Sequence, residues 1–209
     1  EVILYQDRED EAGADAALRI RAEQERAKGF RPYVIPLAVG NPPLGALGYV
    51  NAANEIMNQE PGFDFMVVAS GSGLTHAGLL TGLHSRCFAG RVYGSCVRRD
   101  AVQQRKRIRT VLDGIEAFDS SNKHVPSDLI SIWDGALSPG YGQIGPAAFS
   151  VMKMMAQTEG LVLDPVYTAK AFAAIPALVE SGEITKGRKV LFVHTGGLAS
   201  FFAYQTDLE

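Results

Sequence analysis

Residues 65–83 read FMVVASGSGLTHAGLLTGL, an apolar strand that enters a Gly/Ser/Thr turn and passes directly into a helix. Glycines at 71 and 73 let the backbone curl until several N–H groups point into one concavity. The positive end of the helix beginning near Thr75 adds its field to theirs, and Ser72 and Thr75 add hydroxyl donors. That combination suits a phosphate group. Gly-rich strand-to-helix turns also occur as plain tight turns, so this segment taken alone leaves both readings open.

The same alternation runs along the rest of the chain. A short apolar run at residues 2–5 (VILY) reads as a strand, and an Ala/Glu/Arg-rich helix follows over 11–28, ended by Gly29. Strand-like runs at 33–36, 63–69, 91–97, 129–133 and 189–193 alternate with segments of helical period at about 44–58, 75–86, 100–117, 145–158 and 166–181, and a last helix starts near Leu198. Strands alternating with helices specify an α/β fold, a mostly parallel sheet with helices on both faces joined by right-handed crossovers. Pro176 falls inside one helical run and is expected to kink or interrupt it. In open α/β sheets the ligand lies beyond the carboxyl ends of the strands. Residues 70–75, 140–142 and 194–197 all fall there, which predicts convergence on one crevice.

At 209 residues the chain has ample material for a core, and its 46% hydrophobic and 21% charged residues are those of a folded chain. A net charge of −3 argues against a nucleic-acid partner, and the one basic cluster, RRDAVQQRKRIR at 98–109, reads as the solvated face of a helix. Cys87 and Cys96 have no Cys or His at metal-site spacing; they read as reduced packing residues, with no metal site. No apolar run approaches the roughly 20 residues of a membrane helix, and no signal peptide opens the chain, so the expected location is cytoplasmic.

Several residues carry both a chemical and an ordinary structural reading. Asp164 is the expected cap of a helix with Pro165 in its first turn, which sets Tyr167 and Thr168 near the helix N-terminus. A lone tyrosine there reads as a half-buried anchor whose hydroxyl finds a partner. His194 reads as a strand-end histidine, and His76 and His84, eight apart on one helix, as residues that pack or meet solvent.

The segments SGSGLTHAG, PGYG, EGLVLDPVYTAK and KVLFVHTGG, in that order, resemble the D-cysteine desulfhydrase and 1-aminocyclopropane-1-carboxylate deaminase family of pyridoxal-phosphate enzymes, a branch of the tryptophan-synthase-β-like fold (fold type II). GFRPYVIP followed by LGALGYV, within residues 29–50, is similar to the same family. The resemblance implies that Ser72, Gly73, Leu74 and Thr75 hold the phosphate of pyridoxal 5'-phosphate, and that Tyr141 and Tyr167 flank an amino-acid substrate as acid/base or positioning groups. It also implies that Thr195 faces the pyridine nitrogen with Thr168 beside it, and that the protein is a homodimer. Leu74 departs from the Gly or Ser usual in the family, so its side chain is expected to point away from the phosphate. Within the family, ring-opening deaminases resemble one another in having Glu and Leu where this chain has Thr168 and Thr195, whereas desulfhydrases have Thr at both. A carboxylate by the ring nitrogen makes the cofactor a stronger electron sink than a hydroxyl does. A thiolate, whose conjugate acid has a pKa of about 8.5, is the easier group to expel. The expectation is therefore β-elimination from D-cysteine to pyruvate, ammonia and sulfide. The alternatives are the deaminase reaction and a non-catalytic module that binds a phosphate ligand; a nucleotide-binding domain is a weaker third, since no GxGxxG turn follows the first strand.

Enzymes of this family hold the cofactor on a lysine in a GGNK-like segment that this chain does not contain. Lys28, Lys106, Lys123, Lys153, Lys186 and Lys189 read as solvated, and Lys170 lies a turn into the helix after Tyr167. The chain is thus expected to be the C-terminal part of such an enzyme, with residues 1–37 the tail of a small domain and 38–209 the large cofactor-binding domain. Alone it is expected to be inactive.

Overall fold

The computed structural model describes residues 2–6, 10–37 and 41–208. The chain divides into two compact units, Glu1–Pro42 and Pro43–Glu209. The boundary expected at 37/38 adjoins residues 38–40, which lie outside the described residues.

The first unit is built on α1 (Glu11–Ala27). Asp10 caps it by accepting the Gly13 N–H at 2.8 Å. The carboxylate of Asp15 is buried in this unit, accepting the Leu37 N–H at 2.9 Å and the Asn41 amide at 3.1 Å. Neither expected strand forms here: residues 2–5 and 33–36 are irregular. Val2, Ile3, Leu4, Tyr33 and Ile35 are exposed, and a lone extended segment without a ladder has nothing to stabilise it. Pro32 and Pro36 remove two of the amide donors that a ladder would need.

The second unit carries the expected parallel sheet. Its elements in chain order are α2 (Leu44–Gln59), β1 (Phe65–Ser70), α3 (Leu74–Ser85), β2 (Arg91–Cys96), α4 (Ala101–Phe118), β3 (Ser131–Trp133), α5 (Pro146–Glu159), α6 (Thr168–Phe172), α7 (Ala174–Glu180), β4 (Val190–Phe192), α8 (Leu198–Phe201) and α9 (Gln205–Leu208). The strand order is β3-β2-β1-β4, with every pairing parallel. All six residues of β1 are buried, and its pleat divides them between two cores. Met66 and Val68 join the core made with α2, α3 and α4, whereas Phe65 and Val67 face Ala174 and Leu178 of α7. Helices thus cover both faces.

The helical run over 166–181 breaks as Pro176 required. α6 ends at Phe172, four residues before the proline, where a continuous helix would need the amide that Pro176 lacks; α7 takes the proline into its own first turn. The reading of the cysteines holds for one of the two. Cys96 is fully buried at the end of β2, but Cys87 is exposed, just beyond α3, at φ 56°.

α3 can approach α2 only because two of its residues lack side chains. A Cβ built at Gly78 would lie 2.2 Å from the Ala46 carbonyl oxygen, and one at Gly82 would lie 2.5 Å from the Ala53 Cβ. Each addition forces the two helices apart. Gly78→Ala is therefore expected to lower stability by about 1–3 kcal/mol in urea unfolding. Gly48, on α2 with nothing within 4 Å of a built Cβ, is expected to gain up to about 1 kcal/mol as Ala from helix propensity alone. A Gly78→Ala chain as stable as the parent would contradict this packing.

Candidate functional site

β1 ends at Ser70, and Gly71, Ser72 and Gly73 carry the chain into α3. Gly73 is the cap residue and sits at φ 90°, a left-handed conformation that costs a side-chain-bearing residue about 1 kcal/mol or more. No side chain caps α3. Among the described residues nothing accepts the N–H groups of Ser72, Gly73 or Thr75, and the Leu74 N–H has only a long 3.4 Å bond to the Ser72 hydroxyl. These free donors border a cavity of about 340 Å³ whose wall includes Gly71, Ser72, Gly73, Thr75, Tyr167 and Thr195. Unaccepted amides at a helix start, with hydroxyls beside them, fit a phosphate ester.

Leu74 is absent from the cavity wall. Its side chain packs into the core with α2, which is where a residue that must turn away from the phosphate belongs. Tyr49 of α2 and Ala69 of β1 also line the cavity. Tyr49 was not anticipated; a tyrosine inside an amphipathic helix reads as packing, and only the tertiary approach of α2 brings it here.

Asp164 caps the turn 165–167 that leads into α6 rather than the helix itself: α6 starts at Thr168 with Tyr167 as its cap residue, and Pro165 lies outside it. The Asp164 carboxylate accepts the N–H groups of Val166, Tyr167 and Thr168 at 2.8–2.9 Å and the Thr168 hydroxyl at 2.7 Å. The same hydroxyl accepts the Asp164 N–H at 2.7 Å. Thr168 is fully buried, committed to this cap, and absent from the cavity wall. Thr195 is on the wall, with Gly196 and Gly197 beside it. A Cβ built at Gly197 would lie 2.6 Å from an Asp164 carboxylate oxygen, so the Thr195 loop and the Asp164 cap are packed together.

Tyr141 and Tyr167 come together through a hydrogen bond between their hydroxyls, their rings meeting edge-on at 6.1 Å. The Arg98 guanidinium stands 5.9 Å from the centre of the Tyr141 ring, within cation–π range. Burial, then the bond to Tyr141, push the Tyr167 hydroxyl well above the usual phenol range, so it keeps its proton at neutral pH. Of the three expected turns, 70–75 and 194–197 share this cavity, and Tyr141 joins through Tyr167. Gly142 instead borders a second cavity of about 430 Å³ with Pro139 and Tyr204.

No lysine lines the cavity among the described residues. Lys170 is fully buried, and its Nζ donates to the carbonyls of Leu137 at 3.2 Å and Gly140 at 2.5 Å, anchoring the loop that carries Tyr141. Burial lowers its pKa from the ordinary lysine value. A lysine reads as solvated by default; its signal was the apolar company of Ala169, Ala171 and Phe172 on a short helix.

The basic cluster is a solvated face only in part: Arg105 and Lys106 are exposed, but Arg107 is not, and three of the arginines tie down backbone carbonyls. Arg107 is buried and donates to the Ser72 carbonyl at 2.6 Å, Arg109 reaches the Val125 carbonyl at 2.5 Å, and Arg105 reaches the Ile130 carbonyl. The cations satisfy carbonyl ends of turns.

The profile of the family described as "Pyridoxal-phosphate dependent enzyme" matches residues 1–196. The D-cysteine desulfhydrase of Yersinia pestis (strain Pestoides F) is 38% identical over 190 residues, covering 90% of this chain and 57% of that protein. The D-cysteine desulfhydrase of Salmonella typhi is 38% identical over 193 residues, 91% of this chain and 58% of that protein. The chain thus spans somewhat more than half the length of these relatives. A crystal structure described as an ACC deaminase homologue superposes with a TM-score of 0.83 at 33% identity, over 98% of this chain and 61% of that one. A hydrogen sulfide-producing enzyme from Fusobacterium nucleatum, at 16% identity and a TM-score of 0.54 over 88% of this chain and 59% of that one, shares the fold. No helix among the described residues is long and apolar enough to cross a membrane.

His76 lies fully buried under the turn, its Nδ1 3.2 Å from the Ser70 hydroxyl. Burial, with the charge of Arg105 acting the same way, lowers its pKa from 6.5 to about 4. The unfolded chain binds a proton at this position between those two values and the folded chain does not. The contribution of His76 to stability is therefore complete above pH 6.5 and falls as the pH drops toward about 4, by about 3 kcal/mol in total. A His76→Gln chain is expected to lose distinctly less stability than the parent between about pH 7 and about pH 4.5 in urea unfolding. Equal losses would show that His76 is not the titrating group.

Proposed function

Because the chain belongs to the family of pyridoxal-phosphate dependent enzymes, we propose that it forms the cofactor-phosphate and substrate-facing part of a lyase that eliminates thiol from D-cysteine, giving pyruvate, ammonia and sulfide. One observation carries this reading: three backbone amides that have no acceptor among the described residues share a cavity with Tyr167 and Thr195. Ser72, Gly73 and Thr75 would hold the phosphate by amide and hydroxyl hydrogen bonds, with the field of α3 behind them. Leu74 contributes its backbone only. Bound there, pyridoxal phosphate supplies the electron-withdrawing ring that lets an amino acid lose its α-proton.

The remaining work falls to side chains of this chain. Thr195 meets the ring-nitrogen end with a neutral hydroxyl, and Thr168 acts from beneath by locking Asp164 and the Thr195 loop together. Among the described residues no carboxylate lines the cavity, which favours expulsion of a good leaving group over carbon–carbon cleavage. The Tyr167 hydroxyl keeps its proton and would donate to the departing sulfur, while Tyr141 and the Arg98 charge above it fix the orientation of that hydroxyl. The identity to D-cysteine desulfhydrases supports this choice, and the deaminase reaction on the cyclopropane amino acid is the second reading, supported by the fold of an ACC deaminase homologue. The lysine that carries the cofactor and takes the α-proton is proposed to lie in sequence outside these 209 residues.

Sulfide release is expected when the chain is joined to a segment bearing that lysine and supplied with D-cysteine; activity on the cyclopropane substrate with no sulfide would reverse the assignment. In the joined protein Tyr167→Phe is expected to lower the rate about 100-fold. The 209-residue chain alone is expected to release no sulfide and to form no lysine adduct with the cofactor by mass spectrometry after borohydride. Turnover by the pure chain would refute the proposal of an external lysine.

A further inference from the structure

The turn between β1 and α3 is held from behind by an array of donors, nearly all of it on or beside α4. The Gly71 carbonyl accepts Arg99 Nη1 and Gln104 Nε2, each at 3.2 Å. The Ser72 carbonyl accepts Arg107 Nε at 2.6 Å. The Gly73 carbonyl accepts the Ala77 N–H of α3 at 2.9 Å. Gln104 Nε2 also donates to the Ser70 hydroxyl at 2.8 Å. Every carbonyl from Gly71 to Gly73 is thus occupied, whereas the amides of Ser72 and Gly73 have no acceptor among the described residues.

A trans peptide is planar, with its C=O and N–H on opposite sides. Fixing the Ser72 oxygen on Arg107 therefore fixes the direction of the Gly73 N–H, and fixing the Gly71 oxygen on Arg99 and Gln104 does the same for the Ser72 N–H. Both residues border the cavity. A guanidinium bound to a carbonyl also polarises the peptide, which makes its N–H a stronger donor to an anion. Arg107 is suited to this because it is buried, with its stem under the turn: a Cβ built at Gly73 would lie 3.8 Å from the Arg107 Cγ. Gly73 must be glycine for its positive φ, which makes this peptide intrinsically loose and in need of an external anchor.

We propose that Arg107 is a positioning residue for the phosphate of the ligand: from behind the turn, through the Ser72 carbonyl, it aims and strengthens the Gly73 N–H, with Gln104 and Arg99 doing the same for Ser72. This inference rests on the phosphate-binding role given to the turn above. It assigns to a basic helix a task that needs no contact between its cations and the ligand.

The test compares pyridoxal phosphate with pyridoxal, which has the same ring and no phosphate, by absorbance titration of the protein and its folded variants. Arg107→Met is expected to weaken pyridoxal phosphate by about tenfold while changing pyridoxal by less than about twofold. Arg107→Lys, which keeps a charged donor, is expected to recover most of that loss, and Arg109→Met, which loses a carbonyl tie elsewhere on α4, is expected to change neither ligand. Equal weakening of both ligands by Arg107→Met would reveal a merely structural role and overturn the proposal, as would an unchanged ratio of the two affinities. Should circular dichroism show Arg107→Met unfolded, Arg107→Lys and Arg107→Gln decide: the charged variant must bind pyridoxal phosphate more tightly than the neutral one, and the reverse order or equality overturns the proposal. A parent protein that does not prefer pyridoxal phosphate to pyridoxal would remove the phosphate site itself and this inference with it. A parent that does prefer it, with Arg107 variants unchanged, removes this inference alone.

Discussion

The passage from β1 to α3 in three residues is the constraint around which the second unit is arranged. β1 lies between β2 and β4 and is buried along its whole length, so the chain that leaves it has no freedom to wander before turning back. A left-handed glycine accomplishes the reversal, and the helix that follows starts without a side-chain cap. In an ordinary helix those first amides would be met by Ser, Thr, Asp or Asn. Among the described residues the amides of Ser72, Gly73 and Thr75 have no acceptor, and they lie beside a cavity shared with Tyr167 and Thr195, which suits this change of direction to the anion-binding role proposed for it.

Holding such a surface open requires that the opposite side of the backbone be occupied. Here the cations of the chain serve carbonyls. Arg99 and Arg107 reach the turn, Arg105 and Arg109 reach Ile130 and Val125 near the start of β3, and Lys170 reaches Leu137 and Gly140. A buried guanidinium or ammonium that donates to backbone oxygens keeps part of its solvation and fixes loop geometry at the same time. The two loops that bring Tyr141 and Ser72 to the site are both held in this way. A net charge of −3 for the whole chain hides this arrangement, because the arginines around the turn are inward and the acids are largely on the surface.

The parallel sheet was legible because β1, β2 and β4 each form a compact apolar run bounded by turn residues, and the helices between them keep their period. Pro176 announced the break between α6 and α7 through local backbone chemistry, whereas Asp164 and Pro165 announced a helix start that lies at Thr168, after the turn 165–167. The turn between β1 and α3 was legible for the same reason: glycine and hydroxyl residues at a strand end act locally. What sequence hid depends on distant partners. Residues 2–5 and 33–36 have strand composition but no neighbouring ladder. Arg107 looks solvated until the turn 71–72 closes over it, and the task of Lys170 is invisible until the loop 137–140 meets it. Tyr49 reaches the cavity only because Gly78 and Gly82 let α2 lie against α3.

Thr168 and Thr195 show how one residue type divides into two tasks. Both were read as companions at the ring-nitrogen end of the site, yet Thr168 spends its hydroxyl on the Asp164 cap, donating to one Asp164 oxygen and accepting the Asp164 amide. This has an electrostatic consequence. Asp164 is fully buried and packs against Gly197, close to the loop that carries Thr195. An undressed carboxylate at that place would project negative charge toward the end of the cavity where a cofactor ring would lie. Three N–H groups and the Thr168 hydroxyl absorb that charge and direct it into the helix start. In the proposed site Thr195 would then present a neutral environment although an acid lies behind it, and the two threonines would act on the same property, one by facing the ring and the other by screening the acid.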